Sequence, residues 1–425
     1  MMILGTAKEM VTPHVLVAMG GYAARTEPFK GIHDDLYVRS CLLKNGDKQI
    51  LIISFDIIQF NYSLNERIQA YANERYGLGA QEVIISYSHT HAGPEVKHYR
   101  DKDNSNKVLA DLEDFLLDRT KCCIDKTFLN LFEGEAFYTK ASVDFNVNRR
   151  KKVGDETVMA PNYTGIKDTE LWVLILKDLE GNIRGLFYNY SCHPVTLSST
   201  LYISAEYPGR INQLLDAFYY GCVSGFLQGS AGNMRPMISA KGGKFLPCSF
   251  EEVDQMASSI ALTIKNLIDK AAYKKIIPVL DAVSFTIPAA IRPIPREELV
   301  QLSKDEGSPL KNIYLRMLEN YDNLNETAVI HAGIAKISND LYLAYMGGEI
   351  CYEVKQIVKK VFGEKDLFFL GYHEAVTYIP TDELIEEGGY EGHDAPLWSG
   401  FKGPFEKGID KVVYEHFMKY FSVLK

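Results

Sequence analysis

The chain has 425 residues, of which 46% are hydrophobic and 24% charged, and its formal net charge is −9. This length and apolar content suffice for one large α/β domain or two ordinary ones. The acidic balance offers no broad cationic surface for phosphates, which argues against a nucleic-acid partner. The compact basic run RRKK at 149–152 is too short for a nucleic-acid patch and is typical of a solvated turn.

Signals of cellular location are weak. The N-terminal stretch has no basic leader and carries Lys8 and Glu9 early, so we expect no secretory signal. No uninterrupted apolar segment approaches the roughly 18 residues that suggest a membrane span. The seven cysteines are odd in number and form no CxxC pair, which indicates reduced thiols. We therefore expect a cytoplasmic protein without a transmembrane segment.

The predicted elements alternate between strands and helices along the chain. Strands are predicted at 49–58, 82–89, 171–179, 183–191, 220–229 and 341–348. Helices are predicted at 63–77, 110–132, 208–218 and 253–272. We detect no internal repeat and no long linker. The pattern predicts an α/β fold of layered mixed β-sheets flanked by helices, in a single large catalytic domain over residues 1–425.

The segment SYSHTHAGPE at 86–95 follows one of these strands and ends with the chain-breaking pair Gly93 and Pro94. In an extended strand alternate side chains share a face, so we expect His89 and His91 to project together. Such a pair could hold one Zn²⁺, or one imidazole could bind the metal while the other acts on a substrate. Two histidines bonded to neighbouring carbonyls would give the same short pattern.

Two further candidate residues also follow predicted strands. His193, in YNYSCHPV, ends an aromatic strand, where a buried structural histidine is an ordinary finding. Glu349, in MGGEICYEV, opens a predicted helix, where the helix dipole favours a carboxylate without any metal. Both lie too far from His89 in the sequence for a local metal motif. Spacing also selects neither Tyr378 nor Tyr390 among the 26 tyrosines.

An ordered series of segments runs from about residue 5 to the C-terminus. The segments are GYAARTEPFKGIHDDLYVRSCLL at 21–43, IISFDI, SYSHTHAGP, FNVNRR at 145–150, DTELWVLILKDLEGN at 168–182, YSCHPV, GSAGNMRP at 229–236, GGEI and TYIPTDELIEEGGYEG at 377–392. In these segments the chain resembles the neutral/alkaline ceramidase family, zinc-dependent amidases that cleave the N-acyl bond of ceramide. The resemblance implies the family's catalytic domain, without its C-terminal immunoglobulin-like domain.

The resemblance also implies a set of zinc ligands. These are His89 and His193 through ring nitrogens, Glu349 through its carboxylate and Tyr378 through its phenol oxygen. Two imidazoles, a carboxylate and a phenolate suit Zn²⁺ as a borderline ion and leave room for a water molecule or a substrate carbonyl. A metal-activated water would then serve as the nucleophile.

Three further residues are placed by the resemblance around the reacting amide. His91 is the candidate for proton transfer, because its ordinary pKa is about 6.5. Tyr390 would stabilise the negative charge that builds on the carbonyl oxygen. Arg149 would orient the substrate or support His91.

The chain departs from the family pattern in two places. GNMRP stands where the family commonly has GDVSP, so Arg235 replaces a serine and a serine nucleophile is excluded at that position. The stretch between Pro236 and Leu341 is shorter than its counterpart and lacks recognisable substrate-pocket motifs. We therefore expect an N-acyl substrate, either a small molecule or a lipid, that need not be ceramide.

Two alternative functions remain open at the level of sequence. One is a zinc hydrolase of another HxH class that acts on a different bond, such as an ester. The metallo-β-lactamase pattern would require an acid where Gly93 stands, and a barrel amidohydrolase would require further strand-end histidines. The other is a non-catalytic metal-binding protein, which loss of the implied ligands would favour, but all of these residues are present.

Overall fold

The computed structural model describes residues 1–22, 25, 27–60, 62–95 and 107–424, in which strands and helices alternate. The strands are β1 (Met2–Met10), β2 (Gly31–Ile32), β3 (Tyr37–Asn45), β4 (Lys48–Phe55), β5 (Val83–Tyr87), β6 (Phe132–Ser142), β7 (Asn146–Val153), β8 (Glu156–Asn162), β9 (Glu170–Asp178), β10 (Ile183–Tyr190), β11 (Tyr202–Ile203), β12 (Val223–Gln228), β13 (Met234–Pro236), β14 (Ala240–Lys241), β15 (Lys244–Phe245), β16 (Lys274–Lys275), β17 (Asp281–Ala290), β18 (Thr327–Lys336), β19 (Leu341–Met346), β20 (Glu349–Ile350), β21 (Asp366–Leu370) and β22 (Tyr378–Ile379). The helices are α1 (Tyr62–Tyr76), α2 (Lys107–Leu129), α3 (Glu206–Phe218), α4 (Phe250–Asp269), α5 (Arg296–Leu302), α6 (Lys311–Glu319), α7 (Tyr352–Phe362), α8 (Asp382–Glu387), α9 (Ala395–Trp398) and α10 (Ile409–Val423).

The main sheet has nine strands in the order β12-β10-β9-β6-β1-β3-β4-β5, with β16 added beside β6. The pairs β10–β12 and β4–β5 are parallel, and the other pairs in the sheet are antiparallel. Both faces are buried, which explains the continuous apolar run in β4. Leu51 and Ile53 pack on one face against helices α1 to α4, whereas Ile50 and Ile52 face the opposite side.

A second sheet, in the order β17-β18-β19-β21, packs on the free face of the first. Leu343 and Phe368 from this sheet join Ile52 of the main sheet in one apolar cluster. The outer face of the second sheet is covered by α7 and α10, through residues such as Val354 and Phe417. Two mixed sheets therefore lie between two layers of helices, which confirms the predicted α/β fold class.

The edge strands β5 and β12 of the main sheet approach each other. The backbone N–H of Gln228 donates to Ser86 Oγ over 3.1 Å, and its side-chain amide donates to the Ser88 carbonyl over 3.0 Å. Ser54 Oγ donates to the Phe226 carbonyl on the same side. These bonds bring the C-terminal ends of β5, β10 and β12 together, so the polar segments that follow these strands meet at one place.

Two local expectations from the sequence are wrong. Strand β5 ends at Tyr87, and His89 has a φ of 65° in the left-handed region, so His89 and His91 do not lie on a shared strand face, although their rings converge with the Nε2 atoms 3.0 Å apart. The basic run at 149–152 is part of strand β7 and is not a solvated turn. Arg149 and Arg150 are only 4% and 5% exposed, because β7 pairs on both sides and carboxylates neutralise its arginines.

The cysteines and the helices bear on the expected location. All seven cysteines are free thiols, six of them buried. Among the described residues, the structure contains no helix that is both long enough and apolar enough to cross a bilayer. The cytoplasmic location itself remains a prediction.

Candidate active site

Three of the predicted ligands meet at the end of the main sheet. His89 follows β5, His193 follows β10 and Glu349 begins β20. The Glu349 Oε2 atom lies 3.3 Å from His89 Nε2 and 3.2 Å from His193 Nε2. All three side chains are buried. Residues separated by as many as 260 positions thus form one compact triangle of potential ligand atoms.

The fourth predicted ligand is brought in by a two-stranded parallel ladder. Strands β20 and β22 pair so that Glu349 stands directly opposite Tyr378. The backbone reaches this register through Gly348, which has a φ of 90°. A Cβ at this glycine would lie 2.7 Å from the Thr377 carbonyl oxygen, so a side chain would separate the two strands. The Tyr378 hydroxyl lies beside the Glu349 carboxylate, within hydrogen-bonding reach.

The hydrogen bonds of this cluster leave ligand atoms free. His193 Nδ1 lies 2.9 Å from the Ala231 carbonyl, to which it can only donate, so its Nε2 lone pair points into the triangle. His193 Nε2 and Glu349 Oε2 are buried and, among the described residues, accept no hydrogen bond. His89 Nδ1 also lacks such a partner there. Buried polar atoms without partners are unusual and call for a missing group.

The spacing of these atoms fits a tetrahedral metal ion. With zinc bonds of about 2.0 to 2.2 Å to nitrogen and oxygen, adjacent ligand atoms in a tetrahedral site are separated by about 3.3 to 3.6 Å. The two distances from Glu349 Oε2, 3.3 Å to His89 Nε2 and 3.2 Å to His193 Nε2, agree with this edge. The spacing of His89, His193 and Glu349 therefore fits a tetrahedral ion such as Zn²⁺, and Tyr378 lies beside Glu349.

The surroundings keep the Glu349 carboxylate charged and the imidazoles of His91 and His193 neutral. Burial alone would raise the pKa of Glu349, but the His89 and His193 imidazoles hold it well below its usual range. Burial lowers the pKa of His193 to about 4. Burial, together with the other two imidazoles, also places the pKa of His91 well below its usual value. At neutral pH the cluster thus offers the Glu349 carboxylate and the uncharged imidazoles of His91 and His193, which are forms that bind a metal.

His91 lies against the same triangle. Its Nε2 is 3.0 Å from His89 Nε2, and the three imidazoles offer nitrogens that all lie within 4.8 Å of one another. Its carbonyl accepts a bond of 2.6 Å from Arg25 Nη2, and its ring packs onto Gly21, where a Cβ would overlap Nδ1. By geometry alone His91 could be a third imidazole ligand. Its predicted role in proton transfer remains a prediction.

Arg149 and Tyr390 line the side of the cluster formed by Tyr378. The Arg149 guanidinium lies over the Tyr378 ring at 5.1 Å and over the Tyr390 ring at 5.8 Å from the centroids. The two tyrosine rings meet edge to face at 5.1 Å. Tyr390 opens a π-helical turn, Tyr390–Asp394, that leads into α9. All the predicted site residues are therefore brought together around one point, although their individual roles are not tested by this arrangement.

Sequence reasoning missed two residues of this site. Glu391 accepts a bond of 2.7 Å from Arg149 Nε and one of 2.8 Å from Arg150 Nη1, so it holds both buried guanidinium groups. Tyr372 has a φ of 57° and packs its ring 4.7 Å from that of His89. Glu391 lies beside Tyr390 in the segment 377–392, but no local signal distinguishes Tyr372.

Comparison with known sequences bears on the origin of this site. A sequence model described as "Neutral/alkaline non-lysosomal ceramidase, N-terminal" matches residues 3–262, which is more than half of the chain. The chain belongs to the neutral/alkaline non-lysosomal ceramidase family. The resemblance stated from the sequence segments is thereby confirmed. Glu349, Tyr378 and Tyr390 lie beyond the matched residues.

Individual relatives are distant. The neutral ceramidases of Drosophila pseudoobscura pseudoobscura and Drosophila melanogaster are each 24% identical to this chain over 206 residues, covering 46% of this chain and 29% of the relative. The match thus spans less than a third of these relatives. The crystal structure of neutral ceramidase from Pseudomonas aeruginosa has a TM-score of 0.77 and 16% identity, covering 99% of this chain and 74% of that one. At this identity the structural similarity establishes the fold.

Proposed function

We propose that this protein is a zinc-dependent hydrolase that cleaves an N-acyl amide bond. The observation that carries the proposal is the buried triangle of His89, His193 and Glu349, in which His193 Nε2 and Glu349 Oε2 have no hydrogen-bond partner among the described residues. Membership of a family named for ceramidases supports an amide as the bond that is cleaved.

The proposed metal site consists of His89, His193, Glu349 and Tyr378. Zn²⁺ bound there would supply a nucleophile by lowering the pKa of a coordinated water to about 7, and would polarise the substrate carbonyl. The Ala231 carbonyl orients His193 for this role by fixing its tautomer. Burial of the cluster strengthens the attraction between a cation and the Glu349 carboxylate.

His91 is proposed to carry the proton between water and the leaving group. Its imidazole is neutral at pH 7 and therefore able to accept a proton. In the reaction the water oxygen bonds to the acyl carbon and the carbon–nitrogen bond breaks. The proton taken up by His91 passes to the leaving nitrogen, and the products are a carboxylic acid and an amine.

Tyr390 and Arg149 are proposed to act on the substrate carbonyl. Burial, followed by the charge of Glu349, raises the pKa of Tyr390, so its hydroxyl stays protonated and can donate to a developing oxyanion. Burial would lower the pKa of Arg149, but Tyr378 and Glu391 raise it well above its usual value. Its fixed positive charge over both tyrosine rings favours negative charge at this side of the site.

The substrate is proposed to be a soluble or short-chain N-acyl compound, with membrane ceramide as the competing candidate. The shortened stretch between Pro236 and Leu341 supports this choice, because it lacks the segments that resemble a ceramide pocket. A ceramide must bring two alkyl chains out of a bilayer, which requires a long apolar channel and membrane contact.

The test uses purified full-length protein loaded with zinc. Hydrolysis of a short-chain N-acyl amine and of a long-chain ceramide in detergent is followed by release of the free amine, alongside an ester of the same acyl group. The proposal expects amide hydrolysis that a chelator abolishes and added zinc restores. Faster turnover of ceramide would overturn the substrate choice alone. Cleavage of the ester without the amide, or zinc binding without any turnover, would overturn the proposed reaction.

A further inference from the structure

Arg235, which stands where the family commonly has a serine, lies at the edge of the candidate site. Its position is fixed through its neighbours in β13, which pairs with β7. The Met234 carbonyl accepts the His193 N–H over 3.2 Å, and the Asn233 carbonyl accepts the Arg149 N–H over 2.9 Å. The two residues that precede Arg235 are therefore hydrogen-bonded to the backbone of a predicted ligand and to that of a predicted substrate-orienting residue.

The guanidinium of Arg235 has few partners. Nη2 is 3.5 Å from the Val195 carbonyl and Nη1 is 3.9 Å from Met159 Sδ, both at the limit of a hydrogen bond. Nε is buried and has no hydrogen-bond partner among the described residues. The group lies over the Phe245 ring at 4.6 Å from the centroid, which accounts for its packing. That contact leaves most of its N–H donors unused.

The charge of Arg235 also lacks a matched carboxylate. Arg149 and Arg150 are neutralised by Glu391, and Glu387 adds a second carboxylate at 3.3 Å from Arg150. Within residues 1–22, 25, 27–60, 62–95 and 107–424, no carboxylate lies within 4.0 Å of the Arg235 guanidinium. A half-buried cation with free donors beside a reaction centre is poorly satisfied unless an anion joins it.

The charge of Glu206 acts in the direction that raises the pKa of Arg235, but Glu206 is hydrogen-bonded to other groups. Its Oε2 accepts bonds from the backbone N–H and the hydroxyl of Thr196. Burial raises the pKa of Glu206 to about 7, so it is only partly ionised at neutral pH. The positive charge of Arg235 contributes to lowering the pKa of His91. The phenol of Tyr378 acts in the direction that raises the pKa of Arg235. The Val195 carbonyl that Arg235 Nη2 approaches is two residues from His193, so the guanidinium lies beside the candidate site and remains available to a ligand.

We propose that Arg235 binds a carboxylate on the amine portion of the substrate, so that the preferred substrates are N-acyl amino acids. This inference rests on the proposed amide hydrolysis and names its substrate class. The planar fork of an arginine matches a carboxylate with two parallel hydrogen bonds. In an N-acyl amino acid the carboxylate is one carbon from the scissile nitrogen, which suits an anchor placed next to the reaction centre.

The test compares two substrates that share the lauroyl chain, N-lauroylglycine and N-lauroylethanolamine, which differ by a carboxylate against a hydroxymethyl group. For the zinc-loaded wild type we expect a kcat/KM at least about 10-fold higher for the glycine conjugate. Arg235→Gln should lower kcat/KM for the glycine conjugate by about 10- to 100-fold more than it lowers kcat/KM for the ethanolamine conjugate. The kcat/KM of Arg235→Lys for N-lauroylglycine should lie between those of the wild type and Arg235→Gln, because lysine keeps the positive charge but lacks the planar guanidinium. Arg296→Gln, at an exposed arginine on α5, is the matched control.

Calorimetric binding of both compounds to the same proteins separates this inference from the proposed reaction. Absence of turnover with tighter, Arg235-dependent binding of N-lauroylglycine would overturn the amide hydrolysis and leave the carboxylate site standing. Equal kcat/KM for the two compounds in the wild type would overturn the carboxylate site while hydrolysis stands. An equal loss on both substrates in Arg235→Gln, with zinc content and thermal denaturation unchanged, would also overturn it. If that variant does not fold, the wild-type preference and Arg235→Lys decide.

Discussion

Two clusters in this molecule combine histidine, glutamate and tyrosine, and they differ in what their polar atoms contact. We call His89, His193, Glu349 and Tyr378 the metal cluster, and His331, Glu374 and Tyr62 the His331 cluster. In the His331 cluster, Glu374 Oε1 accepts both the backbone N–H and the ring Nδ1–H of His331 at 2.9 Å. Tyr62 stacks on the same imidazole with ring centroids 3.5 Å apart.

The comparison separates a structural histidine from a candidate ligand. None of the buried side-chain atoms of the His331 cluster lacks a partner among the described residues, whereas His193 Nε2 and Glu349 Oε2 both do. Because an unsatisfied buried polar atom costs about 1 to 3 kcal/mol, a group that completes the metal cluster should stabilise the protein. Residue types are shared by the two clusters, and the unpaired lone pairs are what distinguish them.

The largest expected effect is loss of the metal from the metal cluster alone. Wild-type protein should contain about one zinc per chain. His193→Ala removes a ligand held by the Ala231 carbonyl, so zinc content and amide hydrolysis should both fall to background. His331→Ala is the matched control and should keep both. Metal analysis of the purified variants checks this, and retention of zinc in His193→Ala would contradict the ligand assignment.

The next effect divides ligands from the residues beside them. His91→Ala and Tyr390→Phe should keep zinc and lose about 10²- to 10⁴-fold in turnover, because proton transfer and oxyanion support are lost. Tyr378→Phe should lose zinc as well as activity. The measurements are zinc content and kcat on the same preparations. Loss of zinc in Tyr390→Phe would show that the two tyrosines exchange roles, and loss of zinc in His91→Ala would make His91 a third imidazole ligand.

Glu206 extends the comparison to a buried carboxylate whose Oε2 accepts hydrogen bonds from Thr196 and whose Oε1 has no partner among the described residues. Its pKa is raised by burial to about 7, so the native state holds a proton that the unfolded chain releases near pH 4.5. The contribution of Glu206 to stability is complete below that pH and declines as the pH rises through 7, by about 3 kcal/mol in total. Urea unfolding at pH 4.5 to 8 measures how the free energy of unfolding changes with pH. The decline due to Glu206 should appear in the wild type and be absent from Glu206→Gln. The exposed Glu251→Gln should keep the wild-type slope, and a slope retained in Glu206→Gln would contradict the assignment.

The sequence predicted the fold class because apolar periodicity acts locally. The apolar runs of β4, β9 and β10 and the amphipathic helices α3 and α4 could be recognised within short windows. The left-handed conformation of His89 could not, since it is imposed by contacts such as the bond from its N–H to the Ile57 carbonyl over 3.0 Å. The burial of Arg149 was equally invisible, because the Glu391 that neutralises it lies 242 residues away.

The site itself was reached through resemblance and not through spacing. Local sequence does not distinguish His193 from His331 or His373, since each follows or occupies a strand rich in aromatic or apolar residues. His373 proves to donate to the Ile85 carbonyl over 2.8 Å, which is the ordinary structural arrangement. Only the pairing of β20 with β22 and the meeting of β5 with β12 reveal which histidine faces a carboxylate with a free lone pair.

The smallest expected effect is on the stability of the His331 cluster. His331→Ala removes the ring Nδ1–H bond to Glu374 and the ring stacked on Tyr62, and it keeps the bond from the backbone N–H of residue 331 to Glu374. We expect a loss of about 1 to 2 kcal/mol in the free energy of unfolding, because a hydrogen bond to a carboxylate and an aromatic contact each contribute on this scale. His331→Gln should recover part of this loss by restoring a donor, whereas Glu374→Gln keeps the size and removes the charge.

Urea unfolding with and without added zinc tests whether this effect is confined to the His331 cluster. Zinc should stabilise all three variants as it does the wild type, because the metal cluster is intact in each. A variant of the His331 cluster whose stability no longer responds to zinc would show that the two clusters are coupled and that satisfied hydrogen bonds do not mark a purely structural histidine.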